Sequence, residues 1–153
     1  MLARMQCVML LGLAVTGAFG AVAQTNEECF LCHGEPDLTA TDENGLDVSL
    51  FVDMDAYAGS IHGEADCIAC HADIEEVPHP ESLAPVECGG CHFEVYEQYT
   101  MSLHGESVDA EDPLAPHCWN CHGKHDILPL SDPKSRTNPI HIPEMCGRCH
   151  AED

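Results

Sequence analysis

Cys118-Trp119-Asn120-Cys121-His122 is one of five copies of a single frame in this chain. The others are Cys29-Phe30-Leu31-Cys32-His33, Cys67-Ile68-Ala69-Cys70-His71, Cys88-Gly89-Gly90-Cys91-His92 and Cys146-Gly147-Arg148-Cys149-His150. The sequence holds 11 cysteines, and all but Cys7 fall inside these frames, so no thiol is left over for a disulfide. A C-x-x-C pair alone is ambiguous: it suits half a zinc ribbon, a redox dithiol or, in an exported chain, disulfides. The histidine after every second cysteine removes the ambiguity. In one helical turn residues i, i+3 and i+4 share a face. Two thiols and an imidazole at that spacing can hold the edge of a flat macrocycle and the metal at its centre, whereas zinc needs no histidine there. C-x-x-C-H is the attachment frame of c-type heme. It predicts thioether bonds from Cys29, Cys32, Cys67, Cys70, Cys88, Cys91, Cys118, Cys121, Cys146 and Cys149, with His33, His71, His92, His122 and His150 as proximal iron ligands.

The N-terminus reads as an export signal. Arg4 precedes a mostly apolar run from Cys7 to Ala23 that ends in Ala21-Val22-Ala23, the small-x-small pattern cut by signal peptidase. Residues 1–23 are expected to be removed, leaving Gln24 first and placing residues 24–153 in the periplasm or another extracytoplasmic space. The competing reading is a retained anchor, since about 17 apolar residues lie at the lower edge of a bilayer span. Glycines 12, 17 and 20 dilute the run and favour cleavage. Roughly 130 residues then remain, a length at which a side-chain core is marginal and staples are needed.

The formal charge is −22, from 27 carboxylates against 5 lysines and arginines. Only Lys124, Lys134, Arg136 and Arg148 follow the leader, which excludes nucleic acid as a partner. Such acidity serves solubility, and it also steers basic partners in weak redox encounters.

With its five frames, export signal and 11 histidines, the chain resembles the multiheme cytochromes c of bacterial and archaeal anaerobic respiration, and the resemblance spans essentially all of residues 24–153. It implies five covalently attached hemes c, and it also bears on the second axial ligands. Tyr57-Ala-Gly-Ser60-Ile-His62-Gly63-Glu64 recurs as Tyr99-Thr-Met-Ser102-Leu-His104-Gly105-Glu106. The pattern resembles the S-x-H-G element whose histidine reaches a neighbouring heme, which makes His62 and His104 distal candidates; Tyr57 and Tyr99 are expected to cap or pack the segment. His125, in Cys121-His122-Gly-Lys-His125-Asp-Ile, resembles another recurring distal element. From the residues themselves, His79 sits between Pro78 and Pro80, on an extended strap suited to presenting one side chain. For the fifth position His141, on the strap Asn138-Pro139-Ile140-His141-Ile142-Pro143, is preferred over His117. Met54, Met101 and Met145 are not needed while histidines suffice.

The expected fold is mainly irregular with short α-helices, a small multiheme cytochrome c fold organised around a packed heme chain. Outside the frames the best helix is 94–103, with Val95, Tyr99 and Leu103 at helical spacing. A small hairpin around Asn44-Gly45 within 37–55 competes with a solvated loop. From Cys118 onward the chain also resembles modules that accompany membrane cytochrome b quinol oxidoreductases. The function implied is electron transfer through mostly bis-histidine hemes. Its expected partners are redox proteins, among them a membrane cytochrome b or quinol oxidoreductase and a basic acceptor, in a homo-oligomer or stacked assembly. The alternatives are an anchored quinol dehydrogenase subunit, or a reductase of nitrite, hydroxylamine or a sulfur oxyanion with one open heme. Intact-mass analysis of the exported protein is expected to give Gln24 as the first residue; a chain beginning at Met1 would instead support the anchor.

Overall fold

A computed structural model describes residues 25–42, 45–80 and 82–151. The expected signal peptide at 1–23, with Cys7, and Asn44 of the expected turn lie outside them. Among the described residues seven short helices and one two-stranded sheet are separated by irregular chain. They run in the order α1 (Asn26–His33), β1 (Thr39–Thr41), β2 (Asp47–Ser49), α2 (Met54–Ala58), α3 (Cys67–Cys70), α4 (Phe93–Thr100), α5 (Leu103–Asp109), α6 (Cys118–His122) and α7 (Ile142–His150). Mainly irregular chain with short helices is therefore the observed architecture. No described helix is long and apolar enough to cross a membrane.

Each frame has its own helical turn, and the local sequence explains its length. The first frame ends α1, which starts at a capping box between Thr25 and Glu28. The second and fourth frames are α3 and α6 themselves, and the fifth closes α7, which carries a proline in its first turn and Arg148 and His150 in its last, where they suit the helix dipole. The third frame holds Gly89 and Gly90, poor helix formers, and forms only a 3₁₀ turn over Cys88–Gly90.

The expected hairpin forms. β1 and β2 pair antiparallel with Ala40 opposite Val48, and Gly45 takes a positive φ of 79° in the connection. The expected helix over 94–103 is shorter at its end: α4 stops at Thr100, and Ser102, whose hydroxyl accepts from the Gly105 amide at 3.2 Å, caps a new helix that Leu103 opens.

No apolar side chain among the described residues is buried, and Leu31, Leu103 and Leu114 are 77%, 81% and 87% exposed. Order comes instead from long-range polar clasps. Asn26 in α1 donates from Nδ2 to the Ala65 carbonyl (3.0 Å) and accepts from the Cys67 amide (2.8 Å), which ties the first frame to the second. The two tyrosines of the internal repeat act alike. Tyr57 donates its hydroxyl to the carbonyl of Ala65 (2.5 Å) and Tyr99 to that of Pro116 (2.7 Å), in each case two residues before the next frame begins at Cys67 or Cys118.

The repeat's glycine has a steric reason within the chain. A Cβ on Gly63 would lie 2.5 Å from the carbonyl oxygens of Tyr57 and Ala58, and one on Gly105 would run into the Tyr99 carbonyl. Gly63→Ala and Gly105→Ala are therefore expected to cost more than about 1 kcal/mol each, measured as a lowered thermal or denaturant midpoint. Gly90, with nothing within 4 Å of its would-be Cβ, should accept alanine with little change.

Candidate functional site

The histidines are not scattered. Four rings of the frames each face one ring from elsewhere in the chain. His33 meets His79 with centroids 5.9 Å apart and planes within 2°; His71 meets His125 at 6.2 Å; His92 meets His62 at 5.9 Å; His150 meets His104 at 6.0 Å. Every pair joins a motif histidine to one of the five preferred distal candidates.

These separations can be compared with what a shared metal requires. With a metal–nitrogen bond of about 2.0–2.1 Å and about 1.1 Å from nitrogen to ring centre, two imidazoles in trans have centroids roughly 6.3 Å apart, against roughly 5.2 Å at a tetrahedral angle. The observed values lie nearer the trans figure. Among the described residues no three His, Cys, Asp or Glu side chains gather around one point, so a metal between two rings would take its remaining donors from a group other than these side chains.

Hydrogen bonds fix which nitrogen is presented. His33 Nδ1 lies 2.9 Å from the Leu50 carbonyl and His79 Nδ1 lies 2.8 Å from that of Pro80. A carbonyl only accepts, so Nδ1 carries the proton in both rings and Nε2 keeps its lone pair for a metal. His71 Nδ1 is buried without any hydrogen-bond partner. Burial, then the neighbouring His33 and His79, push the His71 imidazole below its ordinary range despite Asp73; burial and His71 do the same to His125. Both rings are thus held neutral, the form that ligates. Paired neutral imidazoles, an orphaned buried nitrogen and thiols at the frame spacing fit an iron porphyrin attached at the frames.

The thiols also converge from frame to frame. All ten frame cysteines are free. Burial and then the nearby Cys29 push the Cys67 thiol up to about 11. Burial, then the nearby Cys118 and Cys70, likewise raise Cys88, and burial with Cys146 close by raises Cys121. The thiols of each frame therefore lie near enough to those of the next frame in sequence to act on them electrostatically. Tyr57 sits in the middle of this arrangement, edge-on to Phe30 of the first frame at 6.1 Å and to His125 at 6.4 Å.

His122, His117 and His141 stand apart from the pairs. His141 lies with Nε2 2.8 Å from the Pro133 carbonyl, and His117 stacks on Trp119 at 4.4 Å with planes 6° apart. Neither ring contacts His122. The sequence also left unmarked Asn26 and the carbonyls of Leu50 and Pro80; a backbone acceptor has no residue type to reveal it. Comparison with protein families, with curated proteins and with solved structures finds no match for this chain.

The sign of the pH dependence follows from the lowered values of His71 and His125. Below about pH 6.5 the unfolded chain binds protons that the folded chain refuses, so the stability these rings contribute is present above that pH and is lost as pH falls through their folded values. The melting temperature is expected to drop as pH falls below about 6.5, and His125→Gln should show a smaller drop.

Proposed function

We propose that the chain is an exported pentaheme cytochrome c that passes electrons between redox partners. The observation that carries the reading is the set of four histidine pairs at 5.9–6.2 Å, each joining a frame to a distant segment. Heme c, when bound, supplies one-electron iron chemistry whose potential depends on axial ligands and exposure. Cys29 and Cys32, Cys67 and Cys70, Cys88 and Cys91, Cys118 and Cys121, and Cys146 and Cys149 would tether one heme each.

The residues that would hold iron are His33 with His79, His71 with His125, His92 with His62, and His150 with His104, with His122 at the fourth frame. Backbone carbonyls of Leu50 and Pro80 orient the first pair and make its rings stronger donors. The meeting of thiols from successive frames supports a continuous relay, and the exposed apolar side chains supply the surface against which flat macrocycles pack. An acidic exterior suits a basic acceptor met in a transient encounter. The periplasmic location rests on the leader, and a membrane quinol oxidoreductase remains the proposed donor.

The test is a heme count by pyridine hemochrome together with electron paramagnetic resonance of the oxidised protein. Five hemes per chain are expected. His79→Ala and His104→Ala should each raise the high-spin iron by one heme per chain, and the double variant by two. A protein without covalent heme, or variants that leave the spectrum unchanged, would overturn the reading.

A further inference from the structure

We infer that the His71–His125 pair is the weakest donor set of the four, so that an electron entering the chain would settle at the second frame. The inference rests on the heme reading above and deepens it, since it ranks the sites of one relay. It stands first on hydrogen bonds. In the first pair both rings have an acceptor behind them: His33 Nδ1 donates to the Leu50 carbonyl at 2.9 Å and His79 Nδ1 to that of Pro80 at 2.8 Å. An imidazole whose N–H is drawn off in this way is more basic at its other nitrogen and favours the oxidised metal. The second pair has no such acceptor. His71 Nδ1 is buried with no hydrogen-bond partner, and the His125 ring, set against those of Tyr57 and His71, makes no hydrogen bond among the described residues.

Burial acts in the same direction. Oxidised iron carries one more positive charge than reduced iron, and an enclosed site resists that charge. His71 and His125 are both half-buried, whereas His92, His104 and His150 are exposed, so water can accept from their N–H groups. The charge around His125 adds to the effect. Its ring lines a cleft whose wall sets Lys124 and Arg136 against Asp53 and Asp126. That balance is unusual in a chain of 27 carboxylates, where no lysine or arginine stands between Gln24 and His117. The His33–His79 and His92–His62 pairs are drawn wholly from that stretch, and unbalanced carboxylates stabilise oxidised iron.

The first and second frames are also neighbours. Asn26 of α1 holds the Ala65 carbonyl and the Cys67 amide, and Tyr57 stands edge-on to Phe30 of the first frame at 6.1 Å and to His125 at 6.4 Å. One electron would pass between them: the iron held by His33 and His79 is oxidised, the iron held by His71 and His125 is reduced, and no proton or ligand changes place. The second frame would thus store an electron between encounters with the redox partners.

The experiment uses the exported protein with its heme count fixed first. A count below five means that the heme reading itself fails, and the inference falls with it. With five hemes present, the oxidised protein is reduced stepwise with dithionite at controlled potential, and its low-spin electron paramagnetic resonance signals are followed one by one. His125→Met and His79→Met assign the signals of the second and first frames; each variant shifts its own signal or loses it with the heme, and either result identifies it. The second-frame signal is expected to vanish before those of the other paired frames. Its midpoint should lie above that of the first frame by about tenfold in the equilibrium ratio, which is about 59 mV for one electron. Lys124→Gln, which replaces no ligand, should lower the second-frame midpoint by roughly two- to threefold in the same ratio and leave that of the first frame in place. A second-frame signal that outlasts any other paired frame, or a Lys124→Gln variant that moves a different frame's midpoint instead, would overturn the inference.

Discussion

A chain whose described residues bury no apolar side chain cannot be held by the usual balance of hydrophobic burial against conformational entropy. What fixes its helical turns relative to one another is a small set of directed contacts between segments far apart in sequence. Asn26 reaches the second frame, Tyr57 and Tyr99 grip the chain ahead of the frames that follow them, and the Ile61 amide donates to the Ile127 carbonyl at 2.9 Å. Each contact stabilises only modestly on its own. Together they bring imidazole ring centres to about 6 Å from one another, and the proposed hemes would complete both the packing and the ligation. Attachment of the proposed hemes would then be coupled to folding.

Much of the site was legible in the sequence, because the frame spacing is local. Cys67 and Cys70 with His71 belong to one turn whatever the rest of the molecule does. The repeat around His62 and His104 was legible for the same reason. Which ring meets which was not. His79 turns back to His33, His125 crosses to His71, while His62 and His104 look forward to His92 and His150. Such crossings are decided by where loops place a segment in space, and nothing in the spacing of His125 from His122 encodes the distance to His71. The helix over 94–103 was found but drawn as one piece: Leu103 keeps the apolar period, yet the Ser102 hydroxyl satisfies a backbone amide and begins a new helix there.

Charge divides the molecule as sharply as geometry does. Carboxylates are spread along the chain, whereas three of the four cations after the leader occupy residues 124–136. Asp126 shows the local effect. Burial alone would raise its carboxyl, but the hydrogen bond and charge of Arg136, with the Lys124 amide, outweigh burial and hold it below the ordinary carboxylate range. Gly123 makes this arrangement possible. Its φ of 92° turns the chain sharply at the end of α6, and a Cβ there would lie 2.6 Å from Asp126 Oδ1 and 3.3 Å from Arg136 Nε. The fourth frame is thus backed by a compact ion pair for which no side chain larger than hydrogen leaves room.

The tyrosine clasps have a consequence for how such a chain can change. Tyr57 closes a span of 8 residues and Tyr99 one of 17, yet both hydroxyls end on the carbonyl two residues ahead of a frame. The chain between tyrosine and carbonyl can therefore lengthen or shorten while the attachment point stays in register. Residues 110–115, between the end of α5 and the carbonyl that Tyr99 grips, are therefore the part of that span whose length can vary without moving Cys118.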